Sequence, residues 1–256
     1  GPASLVEGHR AAVLVDAGSS LGGRDWGKRT VVPALAALGV ERLDVLIISH
    51  GDLDHWGGVP SVLGAVSVGE IWVPHGAAVD PAFTRVREAA RSRRVPIFER
   101  GAGSPAVAVG DLLIEPLWPP PAAEHRSRND RSLVVRIEVA GHSVLLPGDI
   151  EAHAESDLVS SGADLRSEVV ALPHHGSRTS SSDTFLEAVG AAVAIASAPC
   201  GGRFGMPHAA VLARAGEAGL SVWWTGRDGA VMVGLGKRLT VWGYGDRMNP
   251  DSCRSR

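Results

Sequence analysis

Apolar residues fall in short runs along the chain, each closed by glycine, proline or a charged turn. The runs at 11–16 and 43–49, Ala-Ala-Val-Leu-Val-Asp and Leu-Asp-Val-Leu-Ile-Ile-Ser, have strand length and predict strands buried on both faces. Similar runs predict strands at 70–74, 112–118, 132–139, 142–146, 168–172, 192–197, 221–225, 229–233 and 239–242. Apolar spacing of three and four residues predicts helices over 30–38, 56–66, 80–94, 151–160, 183–189 and 209–218. Pro119-Pro120-Pro121 ends one strand, and the polar stretch 122–131 reads as a loop. Strands interleaved with helices predict an α/β fold. Two sheets pack face to face with helices outside, one α/β layer pair from each half of the chain.

Composition changes this picture little. Hydrophobic residues make up 45% of the 256 positions against 21% charged, enough for a sizeable core. The reading is one domain over 1–245, with a polar, disordered tail at 246–256. No apolar run approaches the roughly 20 residues that span a bilayer, and no signal peptide opens the chain. Gly1-Pro2 reads as the remnant of a protease cleavage, so this sequence is expected to be a piece of a longer protein. A net charge of −3 excludes polyanion binding by overall charge and leaves it to a local basic patch. Cys200 and Cys253 have no metal-ligand spacing; two free thiols are expected, with a disulfide as the other reading.

The candidate chemistry sits at strand ends. His50-Gly51-Asp52-Leu53-Asp54-His55 places four acidic or imidazole groups in six residues directly after an apolar strand. Such a stretch can point several ligands into one concave site, and Gly51, Gly57 and Gly58 are read as letting the backbone turn tightly there. Asp16, Asp149 and the pair His174-His175 follow other apolar strands in the same way. A lone strand-end Asp is commonly a turn former; several together argue for a metal site.

The ordered pattern Val-Asp16-Ala-Gly, Ser-His50-x-Asp52-x-Asp54-His55-x-Gly-Gly, Pro-Gly148-Asp149 and His174-His175-Gly-Ser resembles the metallo-β-lactamase superfamily. Within it, Asp52 in place of the usual histidine resembles the C-terminal domain of the ComEC family, inner-membrane DNA-uptake channels of naturally transformable bacteria. Asn129-x-x-Ser132-Leu-Val, the stretch 174–180, Gly205-Met206-Pro207-His208 and 224–229 share in that resemblance. Two departures stand out. The chain begins just after the position of that family's opening strand Asp-Val-Gly-Gln-Gly-Asp, which is absent or cut away, and Met206 stands where the family tends to have His, which leaves His208 open between a structural and a functional role.

The resemblance implies a four-layer αββα metallo-β-lactamase sandwich and a metal-dependent phosphodiesterase acting on DNA, single-stranded in preference. It implies two divalent metal ions. His50 and Asp52 hold one, Asp54 and His55 the second, Asp149 bridges, and one of His174 and His175 completes a shell. Asn129 and Ser132 take the place of a further histidine, and Asp16 orients a ligand from behind. Catalytic roles fall on Asp54, Asp149, Asn129 and Ser132. Asp in place of His favours a harder cation, Mn²⁺, with Zn²⁺ as the alternative. Ser177, Arg178 and Thr179 are expected to contact phosphate, with Ser180 beside them. The arginines of 85–94 and the basic loop 125–131 supply positive charge. The family's place is an inner-membrane protein facing the extracytoplasmic side, with the rest of the channel as partner and the non-imported strand as substrate. Two other readings are a hydrolase of a small ester, thioester or lactam, and a metal-free module that guides DNA.

Overall fold

The structure, a computed structural model, describes residues 1–122 and 126–245. The tail 246–256 with Cys253, and His125 of the basic loop, lie outside the described residues. The chain divides into two compact units, Gly1–Val135 and Arg136–Arg256.

The first unit opens with β1 (Ser4–Glu7), β2 (Ala12–Val15), the small hairpin β3 (Ser20–Leu21) and β4 (Arg24–Asp25), and α1 (Val32–Ala37). Then come β5 (Arg42–Ile47), α2 (Leu53–Trp56), α3 (Val59–Ala65), β6 (Ser67–Pro74), α4 (Thr84–Arg93), β7 (Ile97–Arg100), β8 (Val107–Val109) and β9 (Leu112–Trp118). Its main sheet runs β1-β2-β5-β6-β7; β2, β5, β6 and β7 are parallel and β1 pairs antiparallel at the edge. Parallel strands covered on both faces need continuous apolar runs. All four β2 residues are buried, and Leu46, Ile47 and Ile48 are fully so. Leu35 of α1, Val59 and Val62 of α3 and Val86 of α4 complete one core with Leu14, Leu46 and Ile71. Each fully buried aliphatic side chain contributes roughly 1.5–3 kcal/mol by leaving water.

The strand β10 (Val134–Val139) carries the boundary. The second unit continues with β11 (His142–Leu146), α5 (Ala152–Ser160), β12 (Val169–Ala171), α6 (Asp183–Val189), β13 (Val193–Ala196), α7 (Ala209–Glu217) and β14 (Ser221–Trp224). It closes with α8 (Thr225–Asp228), β15 (Val231–Leu235) and β16 (Leu239–Gly243). Strands β11, β12, β13 and β14 pair in parallel in that order, and β15 pairs with β16 antiparallel.

Three sequence expectations change here. Asp54 and His55 lie on the one-turn helix α2, opened by Asp52, ahead of the helix expected from 56. Gly57 and Gly58 have φ of −56° and −85°, so no unusual turn demands glycine. What demands it is crowding: a Cβ on Gly57 would lie 2.3 Å from Ser20 N, and one on Gly58 2.0 Å from Ala17 O. Cys200 is disulfide-bonded, so free thiols are the wrong reading for it; spacing along a chain does not reveal pairing in space. The strands β1, β3, β4, β7 and β8 were not legible, being short and only partly buried.

Candidate metal centre

Both units carry ligand-type side chains grouped just beyond strand ends, and strand register explains the grouping. In the first unit Val15 pairs with Ile47, so the residues just beyond β2 and β5 come out side by side. Asp16 N donates to Ile47 O at 2.8 Å, with Asp16 in the left-handed region at φ 61°. Its carboxylate thereby reaches Ser49: Oδ1 accepts from Ser49 N at 2.8 Å and Oδ2 from Ser49 Oγ at 2.8 Å. Oδ2 also lies 2.7 Å from His55 Nδ1, which must donate, since a carboxylate only accepts. The Ser49 hydroxyl has spent its proton on Asp16 and sits 3.0 Å from His50 Nδ1, so that nitrogen donates too.

One buried carboxylate thus fixes both histidines as Nδ1–H tautomers and leaves each Nε2 its lone pair. His50 Nε2 lies 3.7 Å from Asp52 Oδ2, and His55 Nε2 3.7 Å from Asp54 Oδ2; the two rings are 4.0 Å apart. Two donors bound to a common ion at about 2.0–2.2 Å can be at most about 4.4 Å apart, so both pairs fit a cation. Asp52 leans on Arg128, whose Nη1 donates to Oδ1 at 2.6 Å, leaving Oδ2 toward His50. The neighbouring His50 and the Arg128 guanidinium lower its pKa to about 2, against a raising effect of burial. Asn129 and Ser132 flank a tight turn, Ser132 N donating to Asn129 O at 2.9 Å. Ser132 is buried, and Leu133 N donates to Ser49 O at 2.7 Å, which pins that turn to the strand end bearing His50.

In the second unit Leu145 pairs with Val170, which brings Asp149 level with His174 beyond the strand ends. His174 N donates to Gly148 O at 3.1 Å. His174, His175 and Gly176 have φ of 50°, 58° and 79°. Non-glycine residues held there cost about 1–3 kcal/mol each and concentrate at functional sites. The turn faces both rings toward one carboxylate: Asp149 Oδ2 lies 3.5 Å from His175 Nε2 and 4.0 Å from His174 Nε2. His174 Nδ1 lies 3.2 Å from Glu151 Oε1, and that oxygen accepts from Thr179 Oγ1 at 2.8 Å. Thr179 Oγ1 is 3.0 Å from Ser177 Oγ. The loop is anchored by buried Glu155, which accepts from Ser182 N at 2.8 Å and from Ser181 N. Burial pushes the Glu155 carboxyl up.

The basic residues expected to meet substrate are largely engaged already. Arg128 pairs with Asp52 and Arg131 with Asp80, while Arg87 donates to Ala77 O and Asp80 O. Arg178 is exposed beside the histidines. Ser180 donates to Ile150 O at 2.9 Å, a structural contact. His208 caps α7, its Nδ1 accepting from Ala210 N at 3.3 Å, and it also lines a cavity of 390 Å³ with His174, Ser177 and Arg178. In the stretch 224–229, buried Asp228 accepts from Trp224 N and Arg227, a structural knot. Sequence reading passed over Ser49, Glu151 and Glu155. Ser49 had a signal, its place between an apolar strand and His50. The two glutamates lie on or beside a helix, where acids are unremarkable.

The chain matches the family model described as the metallo-beta-lactamase superfamily over residues 1–199. This chain belongs to the metallo-beta-lactamase superfamily. That is a metal-dependent hydrolase fold, and the α/β sandwich follows with the membership. ComE operon protein 3 of Bacillus subtilis is 30% identical over 241 residues, 90% of this chain and 31% of that protein. Competence protein ComA of Neisseria gonorrhoeae is 34% identical over 208 residues, 81% of this chain and 27% of that one. The chain therefore spans about a third of the length of these relatives. Among solved structures, a mutant of the CmlA beta-hydroxylase superposes with a TM-score of 0.50 at 15% identity, covering 75% of this chain and 43% of that one, a likeness of fold alone. Among the described residues, no helix is long and apolar enough to cross a membrane.

Proposed function

We propose that this domain, residues 1–245, is a metal-dependent nuclease that hydrolyses DNA phosphodiesters, single-stranded DNA in preference. In natural transformation it would degrade the strand that is not imported. The observation that carries the hydrolytic part is the buried Asp16–Ser49 pair, which sets both histidines of His50-x-Asp52-x-Asp54-His55 with Nε2 as the ligand atom. The competence proteins among its relatives support DNA as substrate. The resemblance to the ComEC family adds to this reading a place in an inner-membrane channel, with this domain on the extracytoplasmic side.

In this reading His50 and Asp52 hold one divalent ion and Asp54 and His55 the other, with Asp149 and one histidine of 174–175 completing the ligand set. His175 is the better ligand, because its Nε2 is nearer Asp149 while His174 turns Nδ1 to Glu151. Bound ions supply positive charge that polarises a phosphodiester and acidifies water. The chain's own groups do the rest. Asp16 keeps the ligand histidines in their tautomer, Arg178 draws a phosphate by charge, and Glu151 holds Thr179 and His174 in place. Asn129 and Ser132 frame the His50 side. Two carboxylates beside two imidazoles favour Mn²⁺ over a nitrogen-rich zinc preference.

The test is cleavage of a fluorescent single-stranded oligonucleotide by metal-stripped protein given back Mn²⁺ or Zn²⁺. Mn²⁺ should restore cleavage, and Asp54→Ala should abolish it. Full activity in Asp54→Ala, or turnover of nitrocefin or a thioester with none of DNA, overturns the nuclease reading; restoration by Zn²⁺ alone overturns the metal preference.

A further inference from the structure

The geometry points to a nucleobase-stacking subsite on Phe204, placed so that a base rests on the ring while its phosphate reaches the His174–Arg178 loop. This deepens the nuclease reading and rests on it for the substrate class. Phe204 is a large aromatic side chain left 73% exposed, so its ring is accessible to a ligand. It stands in the loop between β13 and α7, whose far end is fixed: His208 N donates to Gly176 O at 2.8 Å, next to the two histidines. A Cβ on Gly176 would meet Pro207 at 2.7 Å, so the two loops touch there. Gly205, at φ 64°, lets the chain turn beyond Phe204.

The loop thereby becomes one wall of the 390 Å³ cavity, with Phe204, Met206 and His208 on one side and Glu151, His174, Ser177, Arg178 and Thr179 on the other. That volume falls in the range of small-molecule sites, roughly 300–1,000 Å³, and suits one nucleotide unit. Charge favours an anion: Arg178 lines the cavity and Arg203 lies 5.6 Å from the centre of the Phe204 ring, two cations against the carboxylate of Glu151. With the guanidinium over one face and the residue still mostly exposed, the other face is open to a base. An aromatic face beside cationic groups that track phosphate is how single strands are held without regard to sequence. A duplex keeps its bases stacked inside and offers this ring nothing. The subsite therefore accounts for a preference for single strands.

The test is fluorescence anisotropy in EDTA, with the full chain and two labelled probes: a twelve-residue oligothymidylate and the same backbone with abasic tetrahydrofuran units. Wild type should bind the base-bearing probe about tenfold more tightly, the low-to-middle range of one stacked base. Phe204→Ala should abolish that difference while leaving the abasic probe's affinity unchanged, and Phe204→Trp should keep it. A wild type that does not discriminate between the probes, or a Phe204→Ala protein that still does, overturns the subsite. No cleavage is required, so the two readings fail separately. Base preference without cleavage under any metal sinks the nuclease reading alone, and cleavage without base preference sinks the subsite alone.

Discussion

Asp16→Asn inverts the network that sets the ligand histidines, and its cost follows from three contacts. Asp16 accepts from Ser49 N and Ser49 Oγ, both at 2.8 Å, and from His55 Nδ1 at 2.7 Å. Asparagine tolerates the left-handed backbone at this position and can still accept from Ser49 N, so the variant should fold. Its amide nitrogen, however, replaces Oδ2 by a donor. His55 Nδ1 must then accept, which moves the ring proton to Nε2, the atom proposed to meet the metal. Removing an outer hydrogen-bond partner of this kind costs 10–100-fold in metal affinity, about 1.4–2.8 kcal/mol. The assay is competition for Mn²⁺ against a chromogenic chelator, with melting temperature recorded alongside. Asp16→Ala should add a stability loss of about 1–3 kcal/mol, because the buried Ser49 N–H loses its acceptor. Wild-type metal affinity in folded Asp16→Asn would refute the reasoning.

Arg128→Ala should weaken Mn²⁺ binding by less than about tenfold, since Arg128 only orients Asp52 from an exposed position; its effect on stability should stay under about 1 kcal/mol. The same chelator competition measures it, and a loss as large as that of Asp16→Asn would count against the assignment. Gly58→Ala should destabilise by about 1–3 kcal/mol, because the new methyl would sit 2.0 Å from the Ala17 carbonyl; calorimetry should show a fall of several degrees, and an unchanged melting point would contradict the crowding argument. Glu155 has a folded pKa raised above its ordinary 4.5, so its contribution is fully present below pH 4.5 and is lost as pH rises through the folded value. Urea unfolding of wild type and Glu155→Gln across pH should show the wild-type advantage shrinking from pH 4.5 upward; an advantage that grows with pH would be the wrong sign.

What the sequence made legible was what depends on runs and strand ends. Central strands such as 112–118 and the helix 183–189 match their predicted bounds, because an interior segment must be apolar at the period of its element. The positions of Asp16, His50, Asp149 and His174 at strand ends were readable for the same reason, and register turned them into neighbours. What could not be read is what depends on partners far along the chain. Arg128 and Arg131 read as free positive charge in the sequence, whereas Asp52 and Asp80 stand against them in the fold. Gly57 and Gly58 looked like turn residues, yet it is the backbone of 17–20 that excludes a side chain there. The exposed Phe204 carried no pattern at all, since a single aromatic in a glycine-rich loop has no period to reveal its setting.

Metal content after equilibrium dialysis against Mn²⁺, measured by elemental analysis, addresses the central claim most directly. Wild type should retain two ions per chain, while Asp52→Ala and Asp54→Ala should each lose about one. A wild type that retains no more manganese than a variant with His50, Asp54 and His55 all replaced by alanine would contradict the account.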